Sequence, residues 1–340
     1  MFNIKKTLFF VGALATSLNA TAAVSLRVAD SLPVNHFIAK ALIMPWMDRV
    51  VELTNKEVVF DYYPAEQLGK EKDMLALLQS GGADIAYFVP SYTPDKLPLS
   101  TVGEMPGIAN SPCTGTMAYW DITKPGAFLD KENLSKQQVM MLMPLSLAPY
   151  QIQSVKRAVN NVDSFKGMKI RTSGDIKELT LLKLGATPVS MTATEIRDAL
   201  SRGTIDGSAL SFSSVPPYGI EEVVKYSTNN FDLGTAVLGY FFNKKSWERL
   251  PENIQQAMTQ AANEIVPKAC VMIQDLNQED MEKVKAKGVK MVEFDKADQG
   301  KLDVIFKEVR DEWAENLEKR GHAGKKAVEL LLEAIDKQQK

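Results

Sequence analysis

The chain has 340 residues, of which 45% are apolar and 24% charged, the balance of an ordinary globular protein. Its 40 basic and 42 acidic residues leave a net charge of −2 with no basic run, which argues against nucleic acid and anionic membrane surfaces as partners. Two cysteines and two histidines, all far apart, exclude a zinc-type ligand cluster and leave open an ion that bridges ligand and protein.

Residues 1–22 read as a cleaved signal peptide. Lys5 and Lys6 supply a basic start, Leu8 to Leu18 is an apolar run too short to span a bilayer, and Ala20-Thr21-Ala22 is a small-x-small cleavage site. The alternative is an uncleaved anchor. No cysteine lies near the cleavage point, so no lipid anchor is expected. No later apolar stretch approaches ~18 residues. The remaining chain suits two domains or one large one. A freely diffusing protein of the periplasm is the expected product.

Val24 to Ala29 alternates as a strand. His36 follows in a loop, and helical spacing then runs from Ile38 to Thr54. Val58 to Tyr63 is a second strand. A helix follows with Met74, Leu77 and Leu78 on its apolar face, ended by Gly81-Gly82, and Asp84 to Phe88 is a third strand. This is the β-α-β-α-β start of a doubly wound sheet. Val139 to Leu145 is a nearly continuous apolar strand, and Ala148 to Val155 alternates, turning Tyr150, Gln151 and Gln153 outward.

The stretch from Val162 to Gly207 carries the chemistry. Met168-Lys169-Ile170 is a short strand, and Arg171 ends it where Thr172-Ser173-Gly174 opens a loop. In open α/β sheets ligands sit outside such strand ends. A guanidinium there is suited to a carboxylate, because its planar fork offers two parallel charge-assisted hydrogen bonds. The alternative is a strand-end arginine paired with a surface acid. Asp175 to Leu184 is helical, Thr187 to Ser190 a strand, Thr192 to Glu195 a capping box opening another helix, and Thr204 to Gly207 the return to the sheet.

Pro216-Pro217 breaks the chain, Glu221 to Lys225 begins a short helix, and Ala236 to Asn243 is a strand. Pro251 opens a long helix at its first position, with Pro267 inside it as an expected kink. Val289 to Phe294 is a last strand, and Leu302 to Arg320 and Lys325 to Lys337 are amphipathic helices. Cys113 and Cys270 are able to pair in an oxidising compartment, and the alternative for Cys270 is a core thiol.

Asp163, Phe165-Lys166-Gly167, Lys169-Ile170-Arg171, Leu184-Gly185-Ala186, Pro188, Met191, Glu195, Ala199-Leu200, Gly203 and Asp206-Gly207 together closely resemble the core signature of the substrate-binding proteins of TRAP (tripartite ATP-independent periplasmic) transporters. Gln67-Leu68-Gly69, Gly82-Ala83-Asp84 and Asn243-Lys244-Lys245-Ser246-Trp247 resemble further family motifs. The resemblance implies an α/β fold of two lobes with a ligand cleft between them and a long kinked helix crossing both. Lobe one would hold 24–149 and 237–274, and lobe two 150–236 and 275–340. It implies that Arg171 binds the ligand's carboxylate and that the loop after the third strand lines the cleft, making Phe88, Ser91 and Tyr92 candidates, with a core aromatic as the alternative for Phe88. Gln151, Ser211, Phe212, Tyr240 and His36 complete the expected ligand set, with a helix-start hydrogen bond as the alternative for His36.

The chain departs from the family at two places. Gln151 stands where many members carry a second basic residue, and Leu210 where many carry Asn. Both changes remove readers of hydroxyls and carboxylates, so the expected ligand is a monocarboxylate with an apolar or aromatic body. A C4-dicarboxylate or sugar acid is the alternative, with Lys156 or Arg157 as a second charge. The expected partners are an organic acid and separately encoded permease subunits, with no cofactor and a monomeric chain. Catalytic signatures such as G-x-S-x-G, a P-loop and H-E-x-x-H are absent from the sequence, so no enzyme is expected. Service to a sensor or an ATP-driven transporter, and a periplasmic lyase or isomerase on a similar scaffold, are the other classes.

Overall fold

The structure, a computed structural model, describes residues 23–339. The leader assigned to residues 1–22 lies outside them. The chain opens with β1 (Val24–Ala29), α1 (Phe37–Ala41), α2 (Ile43–Leu53), β2 (Val58–Tyr63), α3 (Met74–Gln79) and β3 (Ile85–Phe88), followed by α4 (Pro112–Thr123) and β4 (Val139–Ser146). It then crosses to build β5 (Gln151–Ser154), β6 (Lys169–Thr172), α5 (Asp175–Lys183), β7 (Thr187–Ser190), α6 (Ile196–Ser201), β8 (Gly207–Leu210) and β9 (Tyr226–Thr228). β10 (Val237–Asn243) returns to the first sheet. After it come α7 (Lys244–Glu248), α8 (Glu252–Ala286), β11 (Lys290–Val292), α9 (Gln299–Lys319) and α10 (Gly324–Gln338).

Two sheets result, ordered β2-β1-β3-β10-β4 and β11-β9-β5-β8-β6-β7. β1 pairs in parallel with β2 and β3, and β6 in parallel with β7 and β8, as the helical crossovers between them require. β10 enters the first sheet antiparallel between β3 and β4. The segments that cross between sheets lie side by side: Leu147 N–H donates to Ala236 O at 3.0 Å, and Tyr150 N–H to Gly234 O at 2.7 Å.

Local departures from the sequence reading have local causes. The helix expected from Ile38 to Thr54 breaks at Leu42, because Pro45 has no N–H to bond the carbonyl of Ala41. β8 starts at Gly207 rather than Thr204, since the Thr204 and Ile205 amides still bond Ala199 O at the end of α6. Glu221 to Lys225 forms only one 3-10 turn, Ile220–Glu222, and β9 follows it unexpectedly. Pro251 caps α8 rather than occupying its first turn.

α8 runs 35 residues as one helix through Pro267. It packs on α2 and α4 of the first lobe and on the Phe212–Ser214 turn of the second. The Ser213 N–H donates to Asn277 on this helix at 3.1 Å. Cys113 and Cys270 form a disulfide that ties α4 to α8. α10 packs on α4, so residues 324–338 lie with the 24–149 segment, although the sequence division groups them with 150–236. Among the described residues no helix is long and apolar enough to cross a membrane.

Candidate functional site

Arg171 leaves β6 at its carboxyl end and is only 1% exposed. Its Nε donates to Met191 O at 3.0 Å and its Nη2 to the Tyr92 hydroxyl at 3.4 Å. Tyr92 follows β3 on the opposite lobe, and its oxygen also accepts from the Ala193 N–H at 3.2 Å. Among the described residues Arg171 has no acidic partner within salt-bridge distance. A buried guanidinium without one has donors left for an anion.

The space before it is walled by both lobes. Ile38, Tyr87, Val89, Tyr92 and Leu147 come from the first segment, Tyr150, Ser173, Ala193, Leu210, Ser214 and Tyr218 from the second, and Ala236 and Leu238 from the return crossing. Arg171 is the one charged residue in this lining. The enclosed volume is about 20 Å³, near the least that one water needs, so a guest enters only when the walls part. A larger groove of about 550 Å³ lies between α4, β4 and α8 under Trp120 and Trp247. Its lysine, Lys124, is bonded to Asp121 at 2.8 Å, so among the described residues this larger groove offers no free cation.

Behind the cavity the polar groups are set by burial. Glu71 is buried, its Oε2 has no hydrogen-bond partner, and desolvation lifts its carboxyl to about 7 against the opposing pull of Arg171. Asp30 rises to about 6 for the same reason, while accepting from Tyr240 Oη at 2.5 Å and Tyr62 Oη at 2.9 Å. Burial lowers His36 to about 4, so its ring is neutral. Its Nδ1 accepts from the Ile38 N–H at 3.3 Å, which makes it the cap of α1.

The structure brings Arg171 and Tyr92 together at this cavity and puts the other expected residues elsewhere. Phe88 stacks on Phe241 with ring centres 3.7 Å apart, on the core side of its sheet. Gln151 is engaged internally: its Nε2 donates to Phe231 O at 2.6 Å, and its Oε1 accepts from Thr228 Oγ1 at 2.8 Å. Ser211 Oγ lies 3.1 Å from both Ser213 and Ser214 Oγ, and Phe212 is buried in the core. Tyr240 bonds Asp30. Ser91 is buried beside Gly174, and His36 faces Tyr218 with ring centres 5.8 Å apart. Lys156 and Arg157 lie away from the cavity, bonded to Asp206 and to Lys166 O. Sequence reasoning missed Tyr87 and Tyr218, and it saw Tyr150 as outward-facing without placing it beside Arg171. Among the described residues no group of three or more His, Cys, Asp or Glu is placed to hold a metal ion.

Two α/β lobes joined by paired crossings, with a buried cation facing the seam, are the architecture of a two-lobed solute-binding protein. Residues 28–316 match the model of the bacterial extracellular solute-binding protein family 7, and the chain belongs to that family, the substrate-binding proteins of TRAP transporters. It is 27% identical over 271 residues to the C4-dicarboxylate-binding periplasmic protein DctP of Rhodobacter capsulatus, covering 78% of this chain and 79% of the relative. A TRAP solute-binding protein from Rhodoferax ferrireducens, solved with copurified benzoate, superposes with a TM-score of 0.85 at 23% identity, over 93% of this chain and 99% of its own. A marine metagenome TRAP protein specific for aromatic acid ligands, solved with metahydroxyphenylacetate, also gives 0.85, at 22% identity over 93% of this chain and 100% of its own.

Proposed function

We propose that this chain captures an aromatic or largely apolar monocarboxylate in the periplasm through Arg171 and delivers it, without turnover, to the permease subunits of a TRAP transporter. The observation that carries this reading is the lining itself. It has a single positive charge, four tyrosine rings and aliphatic walls. One cation calls for one carboxylate. Tyrosine rings supply flat apolar contact with hydroxyls at the rim.

The rest of the site argues against a second charge on the ligand. Lys177 is buried and already paired with Glu104. Leu210 lines the cavity at the position expected to hold an amide, and a ligand hydroxyl set against it would lose a hydrogen bond, costing ~1–3 kcal/mol. The aromatic acids bound by the two structural neighbours are in keeping with this chemistry.

The test is a thermal-shift screen with benzoate, phenylacetate and mandelate against succinate, malate and glucuronate. Ligands that bind only the folded state raise the melting temperature by linkage. Aromatic monocarboxylates should raise it and the others should not. Stabilisation by the dicarboxylates or the sugar acid alone would sink the reading.

A further inference from the structure

Lys177 and Glu104 form an ion pair with both side chains 0% exposed. Nothing in the binding of an acid at Arg171 requires it directly, and its position is unfavourable on several counts. Lys177 lies in the first turn of α5, where the helix dipole disfavours a cation. Both ions are removed from water, and Glu104 Oε1 has no hydrogen-bond partner. An apolar pair of similar size would serve stability as well or better.

Its surroundings point to a different role. Glu104 ends a 3-10 turn of the first lobe, Ser100–Glu104, whereas Lys177 follows Arg171 on the second. Lys177 Nζ also donates to Thr235 O at 2.9 Å, within the return crossing. Thr235 Oγ1 donates in turn to Leu147 O at 2.6 Å on the outgoing crossing. Glu104 presses the same place from the other side: a Cβ at Gly234, where φ is +83°, would lie 2.1 Å from Glu104 O. The Arg171 loop is equally close, since a Cβ at Gly174 would lie 2.7 Å from Ser91 Cβ. Finally, Lys177 Nζ stands 5.5 Å from the centre of the Tyr150 ring, within cation–π range, and Tyr150 is a wall of the acid cavity.

We propose that the Lys177–Glu104 pair is a positioning element of the acid site. It pins the two crossings together at the pivot and holds Tyr150 against Arg171. Lys177 bonds the return crossing at Thr235, which in turn bonds the outgoing one, and it stands over Tyr150, so the pin sets how far the lobes part and where the aromatic wall stands when they meet. The pair touches no ligand. It acts through Thr235 and Tyr150.

The test compares the parent with the double variant Lys177→Met/Glu104→Leu, which removes both charges and leaves no unpaired ion. Small-angle scattering of the ligand-free proteins should show a larger and broader distribution of sizes for the variant. Calorimetry with benzoate should show at least a 10-fold loss of affinity at a melting temperature near the parent's. A folded variant with the parent's scattering profile, or with benzoate affinity within twofold of the parent's, overturns the proposal. Should the double variant not fold, Glu104→Gln keeps the shape, removes one charge and is judged by the same two readouts, while Lys177→Arg should preserve both. Only the affinity arm rests on the acid-site reading. If the parent binds neither benzoate nor any other acid, that reading fails and the scattering comparison alone decides this one.

Discussion

Tyr92 reaches from the first lobe to Arg171 on the second, and its hydroxyl oxygen accepts from Nη2 at 3.4 Å while also accepting the Ala193 N–H at 3.2 Å. One phenol thus orients the Arg171 guanidinium and ties the two lobes at the seam. Tyr92→Phe leaves a charged donor and a backbone amide without their acceptor. A hydrogen bond to a charged group contributes ~1.5–3 kcal/mol, so benzoate should bind about 10-fold more weakly by calorimetry. Parental affinity in this variant would show that Met191 O alone orients the guanidinium.

Arg171→Ala removes the one charge in the lining. Truncating one partner of a buried charged pair costs ~2–5 kcal/mol, so affinity for an aromatic acid should fall at least ~30-fold. Arg171→Lys should recover part of this, because an ammonium keeps the charge and loses the fork. Unchanged heats of binding in the alanine variant would remove the anchor from the scheme.

Folding stability should decline from mildly acidic to mildly basic pH. Burial raises Glu71 from 4.5 to about 7, with Arg171 opposing in part. A carboxyl raised in the fold contributes stability that is complete below its unfolded value and lost as pH climbs through its folded value. The window for Glu71 is therefore about 4.5 to 7. Asp30 and Asp232, each lifted to about 6 by burial, act in the same direction. His36, lowered to about 4 by burial, acts oppositely, adding stability as pH rises toward 6.5. Glu71→Gln removes the largest of the falling contributions. Relative to the parent it should gain on the order of 1–3 kcal/mol between pH 5 and pH 8, read from urea midpoints. An equal difference between the two proteins at both pH values would refute the assignment.

The Cys113–Cys270 bond closes a loop of 157 residues. In the chain-entropy account a closed loop of that order contributes ~4–5 kcal/mol by restricting the unfolded chain. Dithiothreitol, or the Cys113→Ala/Cys270→Ala pair, should lower the melting temperature by several degrees in calorimetry while leaving acid affinity within about twofold. Loss of binding on reduction would mean that the bond also shapes the cleft.

Much of this was legible in the sequence because it is written in local period and turn chemistry. β1, β2 and β7 fall on the residues where alternation puts them, and Arg171 sits at its strand end as the pattern of Lys169 to Gly174 implies. The walls of the site were harder to read. Tyr87 and Phe88 are adjacent aromatics on one strand, so they face opposite sides of the sheet, and nothing in β3 itself says which side meets the second lobe. The neighbours decide: Phe88 stacks on Phe241 among core residues, and Tyr87 turns to the seam beside Tyr240. Gln151 looked free because β9 was not visible in three short residues. Once Tyr226–Thr228 pairs with β5, Thr228 and Phe231 take up the amide. Tyr218 follows two prolines that read as a simple break, and only the tertiary fold brings its ring to the cavity.

β10 lies between β3 and β4, yet it is made after every strand of the other sheet except the edge strand β11. The second sheet can therefore assemble from one uninterrupted run, residues 151–228. The first must wait, with a slot open between two hydrophobic strands, until Val237–Asn243 has been delivered. As the chain emerges in order, the sheet begun first stays split while the whole 151–228 run is made, and its unfilled slot is where a holding chaperone would be needed.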